Sequence, residues 1–243
     1  MNVTVQSIRD IFAEKLIEED FSEDGNLEII NASFIADSPM IFGVPNEDWN
    51  QRELKWYLSQ SLNIADIPPP IPAIWGKVAG HDGSINSNYG WAIFSKENFN
   101  QFDRAILSLR ANRNSRQAVM IYIRPTMHKD SVSRGKRDFM CTYSTQLLIR
   151  SNRLHYIVNL RSNDATVNYQ GDRSWHEKVH LLAQAQISKH FPKVKIGNLY
   201  WNANSLHVYP SQFYLVDHFV KTGELSISKS EYRILNPSSK WCK

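Results

Sequence analysis

The sequence predicts an α+β fold in one domain spanning residues 1–243. Apolar residues recur at helical spacing in some windows and alternate in others. The two kinds of segment are mixed without the strict strand–helix–strand order of a parallel sheet. A chain of 243 residues that is 42% hydrophobic can bury one large core.

Residues 4–18 read as an amphipathic helix, with Ile8, Ile11, Phe12 and Leu16 at helical spacing. LEIINASFIA reads as a strand. Residues 46–62 read as a second helix, opened by Pro45 and Asn46. IADIPPPIPAIW is a proline-stiffened connector, bracketed too closely by apolar residues to be a domain linker. A helix over 99–111 and a strand at AVMIYIRP follow. MCTYSTQLLIR and LHYIVNLRS are strands joined through SNR as a hairpin. Residues 174–189 read as helical, followed by a strand near IGNLYW and a helix near PSQFYLVDHFVKTG. There is no internal repeat.

Composition narrows the class. Ten Gly and ten Pro exclude collagen-like and low-complexity chains. No apolar run reaches the roughly 18 residues of a membrane helix, and MNVTVQSIRD lacks the apolar core of a signal peptide. Two cysteines suit a reducing compartment, so a soluble intracellular protein is expected. The net charge of +4 is spread out apart from a cluster in NRNSR and SRGKR. That is thinner than the footprint of a nucleic-acid binder and compatible with a small phosphorylated ligand.

A few residues look out of place. Glu53 shares a helix face with Trp49, Trp56 and Tyr57, where a carboxylate is costly unless paired, protonated or reaching water. Burial would suit it to proton transfer. HEKVH, from His176 to His180, fits the zincin pattern, with Glu177 as base, but no third ligand follows. The plain alternative is a helix surface with two ordinary histidines. Cys141, taken alone, is a buried small residue or a thiolate in need of a nearby cation. His207 is a satisfied core histidine or a catalyst, and RSND, from Arg161 to Asp164, can be a strand-ending turn.

Their order is more informative than any one of them. QRELKWY, INSNYGWAI, MIYIRP, NSR, DFMCT, RSND and SLHVY with FYLVDH, KTGE and ISK resemble segments of the thymidylate synthase superfamily, in order and at compatible spacing from about residue 20 to about 230. Within it, the closer likeness is to the deoxycytidylate hydroxymethylases of T-even phages. The resemblance implies a large mixed β-sheet flanked by helices and a homodimer packed sheet to sheet, with shared active sites. It implies a pyrimidine deoxynucleotide monophosphate and 5,10-methylenetetrahydrofolate as substrates, no metal, and a cytoplasmic place, the host's if the chain is phage-encoded.

The resemblance also implies roles. Cys141 matches the nucleophile, Glu53 the proton-relay carboxylate and Tyr89 the active-site tyrosine. Arg161 and Ser162 match phosphate ligands, with Arg116 lent by the other subunit. His207 and Tyr209 match residues at the sugar hydroxyl. Asp164 matches the carboxylate facing the pterin, and Trp75 an aromatic near the folate. Asp172 stands where synthases have an Asn that pairs with uracil. A carboxyl matches cytosine instead, donating O–H to N3 and accepting from the 4-amino group. The alternative for Asp172 is a cap on the helix at SWHEKV. In such enzymes thiolate addition at C6 gives C5 carbanion character. C5 then takes the methylene of the folate, and water adds to give the hydroxymethyl group.

Departures from the pattern bear on the grip and the outcome. Gln117 replaces a second arginine, no basic residue stands near FSEDGN, and Asn168 replaces a glycine. Arg113 is a candidate to compensate. Val78 replaces a second tryptophan, which leaves room for water, and PSSKWCK lacks an apolar closing tail. Cys242 matches nothing in the family. Other readings are a dUMP hydroxymethylase, a dCMP or dUMP methylase, a catalytically dead nucleotide binder and, as an outsider, a zinc protease.

Overall fold

The computed structural model describes residues 3–242. In chain order the elements are α1 (Val5–Ile17), β1 (Leu27–Ile35), α2 (Glu47–Ser59), α3 (Ala73–Val78), α4 (Tyr89–Phe94), α5 (Gln101–Ala111), β2 (Val119–Ile121), α6 (Thr126–Ser133), β3 (Thr142–Arg150), β4 (Arg153–Leu160), β5 (Asn163–Asp164), α7 (Asn168–Ser188), β6 (Lys195–Val208), α8 (Phe213–Thr222) and α9 (Lys229–Leu235). The fold is α+β, as expected. Six strands hydrogen-bond in the order β1-β6-β4-β3-β2, with β5 attached to β6. The sheet is mixed, because β6 runs antiparallel to β1 and parallel to β5.

The chain folds as two compact units that interleave in sequence. The first is Met1–Asn46, Leu160–Arg173 and Tyr200–Lys243, and the second is Glu47–Asn159 and Ser174–Leu199. In the first, α1 buries Val5, Ile8, Phe12 and Leu16 along one stripe, while Ile11 stays half-buried. Arg9 is buried on the same helix, and its guanidinium donates to the carbonyls of Ile41 and Met40, each at 2.8 Å, which offsets its desolvation. The ladder of β1 with β6 runs from Leu27 opposite Val208 to Ile35 opposite Tyr200. Gly223 ends α8 at φ 75°, a left-handed position that glycine adopts without a Cβ clash.

In the second unit, β3 and β4 form the expected hairpin. Ser151 and Asn152 take φ of 48° and 56°, the paired positive values of a tight two-residue turn. Leu147, Ile149, Leu154, Tyr156 and Val158 are buried on these two strands, with less buried residues between them. In AVMIYIRP, Val119–Ile121 form β2 against Ser144–Gln146 of β3, and Ala118 and Tyr122 add backbone hydrogen bonds at its ends.

Several boundaries differ from expectation. α7 starts at Asn168, six residues before 174, and β6 runs on to Val208. The proline connector ends in α3, and SRGKR follows a helix, α6, that periodicity does not announce. RSND is not only a turn, since Asn163 and Asp164 pair with Leu206 and His207 as β5. Among the described residues no helix is long and apolar enough to cross a membrane.

Candidate active site

In the second unit, Cys141 lies just ahead of β3, half-buried between fully packed Met140 and Thr142. Thr142 ties it to two other elements. Its N–H points at the Tyr89 hydroxyl, 3.4 Å away, and its side-chain oxygen lies 3.0 Å from His176 Nε2 on α7. Tyr89 stacks on Tyr57 of α2 at 5.0 Å, and Trp56 meets Trp75 of α3 edge-on at 5.1 Å. Glu53 sits one turn before this pair on α2 and is only 9% exposed, so it does not reach out to water. Trp75, Trp56, Tyr57 and Tyr89 therefore form one aromatic cluster, with Glu53 a turn away along α2 and Cys141 next in the chain to the Thr142 that meets Tyr89.

The NYG segment makes that arrangement possible. Asn88 accepts from Trp91 N–H at 2.8 Å and starts α4. Its amide donates to the carbonyls of Trp56 and Ser61, both at 2.9 Å, which binds α4 to the end of α2. A Cβ on Gly90 would sit 1.8 Å from the Tyr57 carbonyl oxygen, so only glycine fits there. Asp138 supplies a further tie that the sequence reading missed. It accepts from the N–H groups of Asn86 and Ser87, the latter at 2.8 Å, and pins the loop before Tyr89 to the segment that carries Cys141. Burial raises its carboxyl pKa, and these hydrogen bonds oppose that rise.

Arg116 stands apart from the cluster. It is exposed, and its carbonyl accepts from Gln146 at 2.8 Å. Arg113 is committed to Asn152 and to the face of Phe191. The HEKVH histidines are not on a surface. His176 and His180 are 0% and 4% exposed. His180 Nε2 lies 2.7 Å from the Leu154 carbonyl, and burial drives the His176 pKa down to about 3. With both Nε2 atoms engaged by protein, the helix does not present the paired nitrogens of a zincin. Among the described residues there is no group of three or more metal-ligating side chains.

The first unit gathers a second set of residues. Asp164 is buried on β5, and its Oδ1 accepts from Thr166 N–H at 2.8 Å and from the Thr166 hydroxyl at 2.7 Å. Opposite it in the ladder is His207, which meets Tyr209 edge-on at 4.8 Å. His207 Nδ1 lies 3.5 Å from the Ser205 hydroxyl, while its Nε2 is buried with no hydrogen-bond partner among the described residues. Asp172 lies inside α7 rather than at its start, so it is not the cap of that helix. Asn163 donates to Asp172 Oδ2 at 2.7 Å and accepts from the Trp201 indole at 3.3 Å, which fixes the direction of its amide. The side chain of Asn163 was the other feature missed. Arg161 is exposed and Ser162 half-buried, next to this group in the chain.

Comparison with known proteins gives this geometry a family. The model of the thymidylate synthase family matches residues 48–236. The chain belongs to the thymidylate synthase family. Its similarity to the deoxycytidylate 5-hydroxymethyltransferase of Enterobacteria phage T4 is 45% identity over 95% of this chain and 96% of that one. With its counterpart from phage T6 the identity is 44% over 96% and 97% of the two chains. Among solved structures, a thermostable thymidylate synthase A from Bacillus subtilis shares the fold, with a TM-score of 0.65, 21% identity, and coverage of 89% of this chain and 83% of that one. Within the thymidylate synthase family, Asp138 and Asn163 had weak sequence signals. One was an acidic residue between basic RGKR and apolar FM, and the other an amide beside Asp164.

Proposed function

We propose that this chain is a deoxycytidylate 5-hydroxymethyltransferase that acts with 5,10-methylenetetrahydrofolate. The observation that carries the proposal is near-full-length kinship with phage enzymes of that name. Cys141 serves as the nucleophile that bonds to C6 of the cytosine, so that C5 gains carbanion character. The folate supplies the one-carbon unit at the oxidation level of formaldehyde. Glu53, held in a mostly apolar setting, moves protons near that bond.

Asp172 selects the base. Asn163 N–H₂ donates to Oδ2, and the selecting form of the carboxyl carries its proton on the other oxygen. In that form the carboxyl gives O–H to cytosine N3 and takes N–H from the 4-amino group at Oδ2. Uracil would set its N3–H against that O–H. His207 Nε2, buried without a hydrogen-bond partner among the described residues, suits the sugar hydroxyl, with Tyr209 beside it. Arg161 and Ser162 bind the phosphate. Asp164 and Trp75 suit a pterin, the first as a buried acceptor for ring N–H groups and the second as a half-buried ring face.

Arg116 completes the phosphate site of a partner copy in a homodimer. Its exposure supports this, as do the half-exposed Gln146, Leu148, Ile157 and Asn159, which alternate with buried residues on β3 and β4. The enzyme acts in the cytoplasm, that of the host for a phage gene.

The test is incubation with dCMP or dUMP and methylenetetrahydrofolate, with the product nucleotide weighed. A dCMP gain of about 30 daltons marks hydroxymethylation, and one of about 14 marks a methylase and rejects the proposal.

A further inference from the structure

The second unit carries a basic pocket that none of the proposed catalytic or substrate-binding residues lines. Its volume is about 550 Å³, within the range of small-molecule sites. Four cationic side chains line it, Arg124, Lys129, Arg134 and Lys136, against one carboxylate, Asp130. Asp130 lies 4.0 Å from Arg134 Nε, at the outer limit of an ion pair. Two further acids bear on the cations from outside the lining. Asp82 faces Lys136, and Asp138 acts on Arg124 but holds the Asn86 and Ser87 N–H groups.

Arg124 is the centre of the pocket. Its guanidinium lies over the Trp91 ring, 4.5 Å from the centroid. Its Nη2 donates to Asn86 Oδ1 at 3.0 Å, while its Nη1 is buried with no hydrogen-bond partner among the described residues. A charged donor out of water and without an acceptor is costly, and an anion in the pocket would remove that cost. Thr126, the first residue of α6, also lines the pocket, and no side chain caps that helix. The positive end of its dipole thus adds to the field. Gly135 turns the chain at φ 69° between Arg134 and Lys136, and both of these reach the same space. The SRGKR cluster, which the catalytic proposal does not use, forms this wall.

We propose that this pocket binds a phosphate-bearing small molecule, a polyanion the size of a nucleoside triphosphate, at a site separate from the catalytic residues. A guanidinium edge, three further cations and a helix start surround a volume too large for one carboxylate and suited to a chain of phosphates.

Titration calorimetry of the full chain in about 0.15 M salt tests this, with inorganic tripolyphosphate and ATP as separate probes. The exposed Lys129→Glu and Arg134→Glu are compared with wild type, and dCMP turnover without added anion checks that each variant is intact. Saturable binding with a Kd of about 10–1,000 μM is expected, weakened at least about tenfold by either reversal. Equal affinity for both probes assigns recognition to the phosphates, and tighter ATP binding adds the nucleoside; either supports the site. The proposal is overturned by no saturable binding up to about 10 mM, by affinity unchanged in both variants, or by displacement with dCMP. Binding of a single-stranded oligonucleotide with neither small probe also overturns it.

Discussion

If Asp172 selects the base as proposed, one hydrogen bond, from Asn163, sets which base is accepted. The Asn163 amide is directed by the Trp201 indole, so the Asp172 carboxyl meets a fixed donor on one side. A mismatched polar pair in a dry site costs about 2–4 kcal/mol, so a dCMP preference over dUMP of roughly a hundredfold in kcat/KM is expected. Asp172→Asn should move that ratio strongly toward dUMP while the fold survives. An unchanged ratio in steady-state assays would show that Asp172 does not select the base. His176 is a residue-scale matter of stability. The unfolded imidazole takes its proton near pH 6.5 and the buried one only near 3. Between those values the unfolded chain holds more protons, so stability falls as pH falls through that window, by at most about 1.4 kcal/mol per pH unit for this group. Burial lowers the His180 pKa as well, so two groups contribute. His176→Gln should flatten the dependence of the urea midpoint on pH between about 4 and 6.5 without abolishing it. An identical slope in the variant would show that His176 is not the source.

At the scale of elements, α4 is the piece on which the Cys141 side depends. It is six residues long and has no helical period to announce it. It exists because Asn88 caps it and because Gly90 lets it lie against the Tyr57 carbonyl. Gly90→Ala must push α2 and α4 apart. We expect a loss of about 2–4 kcal/mol in urea unfolding and a fall in turnover, because Tyr89 moves with the helix. A variant as stable as wild type would mean that the contact yields easily. The same contrast explains what could be seen in the sequence. α1, α2, α5, β3 and β4 carry a period of 3.6 or 2 over many residues, and burial follows that period. α3, α4, α6 and β5 are short and are set by partners far along the chain. The first six residues of α7 include Gly171 and Asp172, poor helix formers, so the pattern registers only from 174. Cys141, Asp172 and their companions were legible as an ordered family set, not one by one. Asp138 and Asn163 were not, because their work is to hold residues 51 and 9 positions away.

At the scale of the whole molecule, the proposed phosphate site needs two chains. If Arg116 comes from the partner, Cys141→Ser should lose several orders of magnitude in turnover yet still bind nucleotide. Mixing it one to one with Arg116→Ala, each inactive alone, should restore about a quarter of wild-type activity, since half the dimers then hold one complete site. No recovery after verified subunit exchange would reject shared sites, and sedimentation as a monomer would reject the dimer itself.

The interleaving of the two units also sets an order of events on the ribosome. Strand β1 is made early, but its partner residues in β6, Tyr200 to Val208, come some 165 or more positions later. At about 5–20 residues per second that wait is roughly 10–30 s, during which β1 has no ladder. The unit around Cys141 has both its segments by Leu199, whereas the unit around Asp172 still needs the stretch from Tyr200 onward. A nascent chain therefore holds every segment of the unit around Cys141 before it holds those of the unit around Asp172.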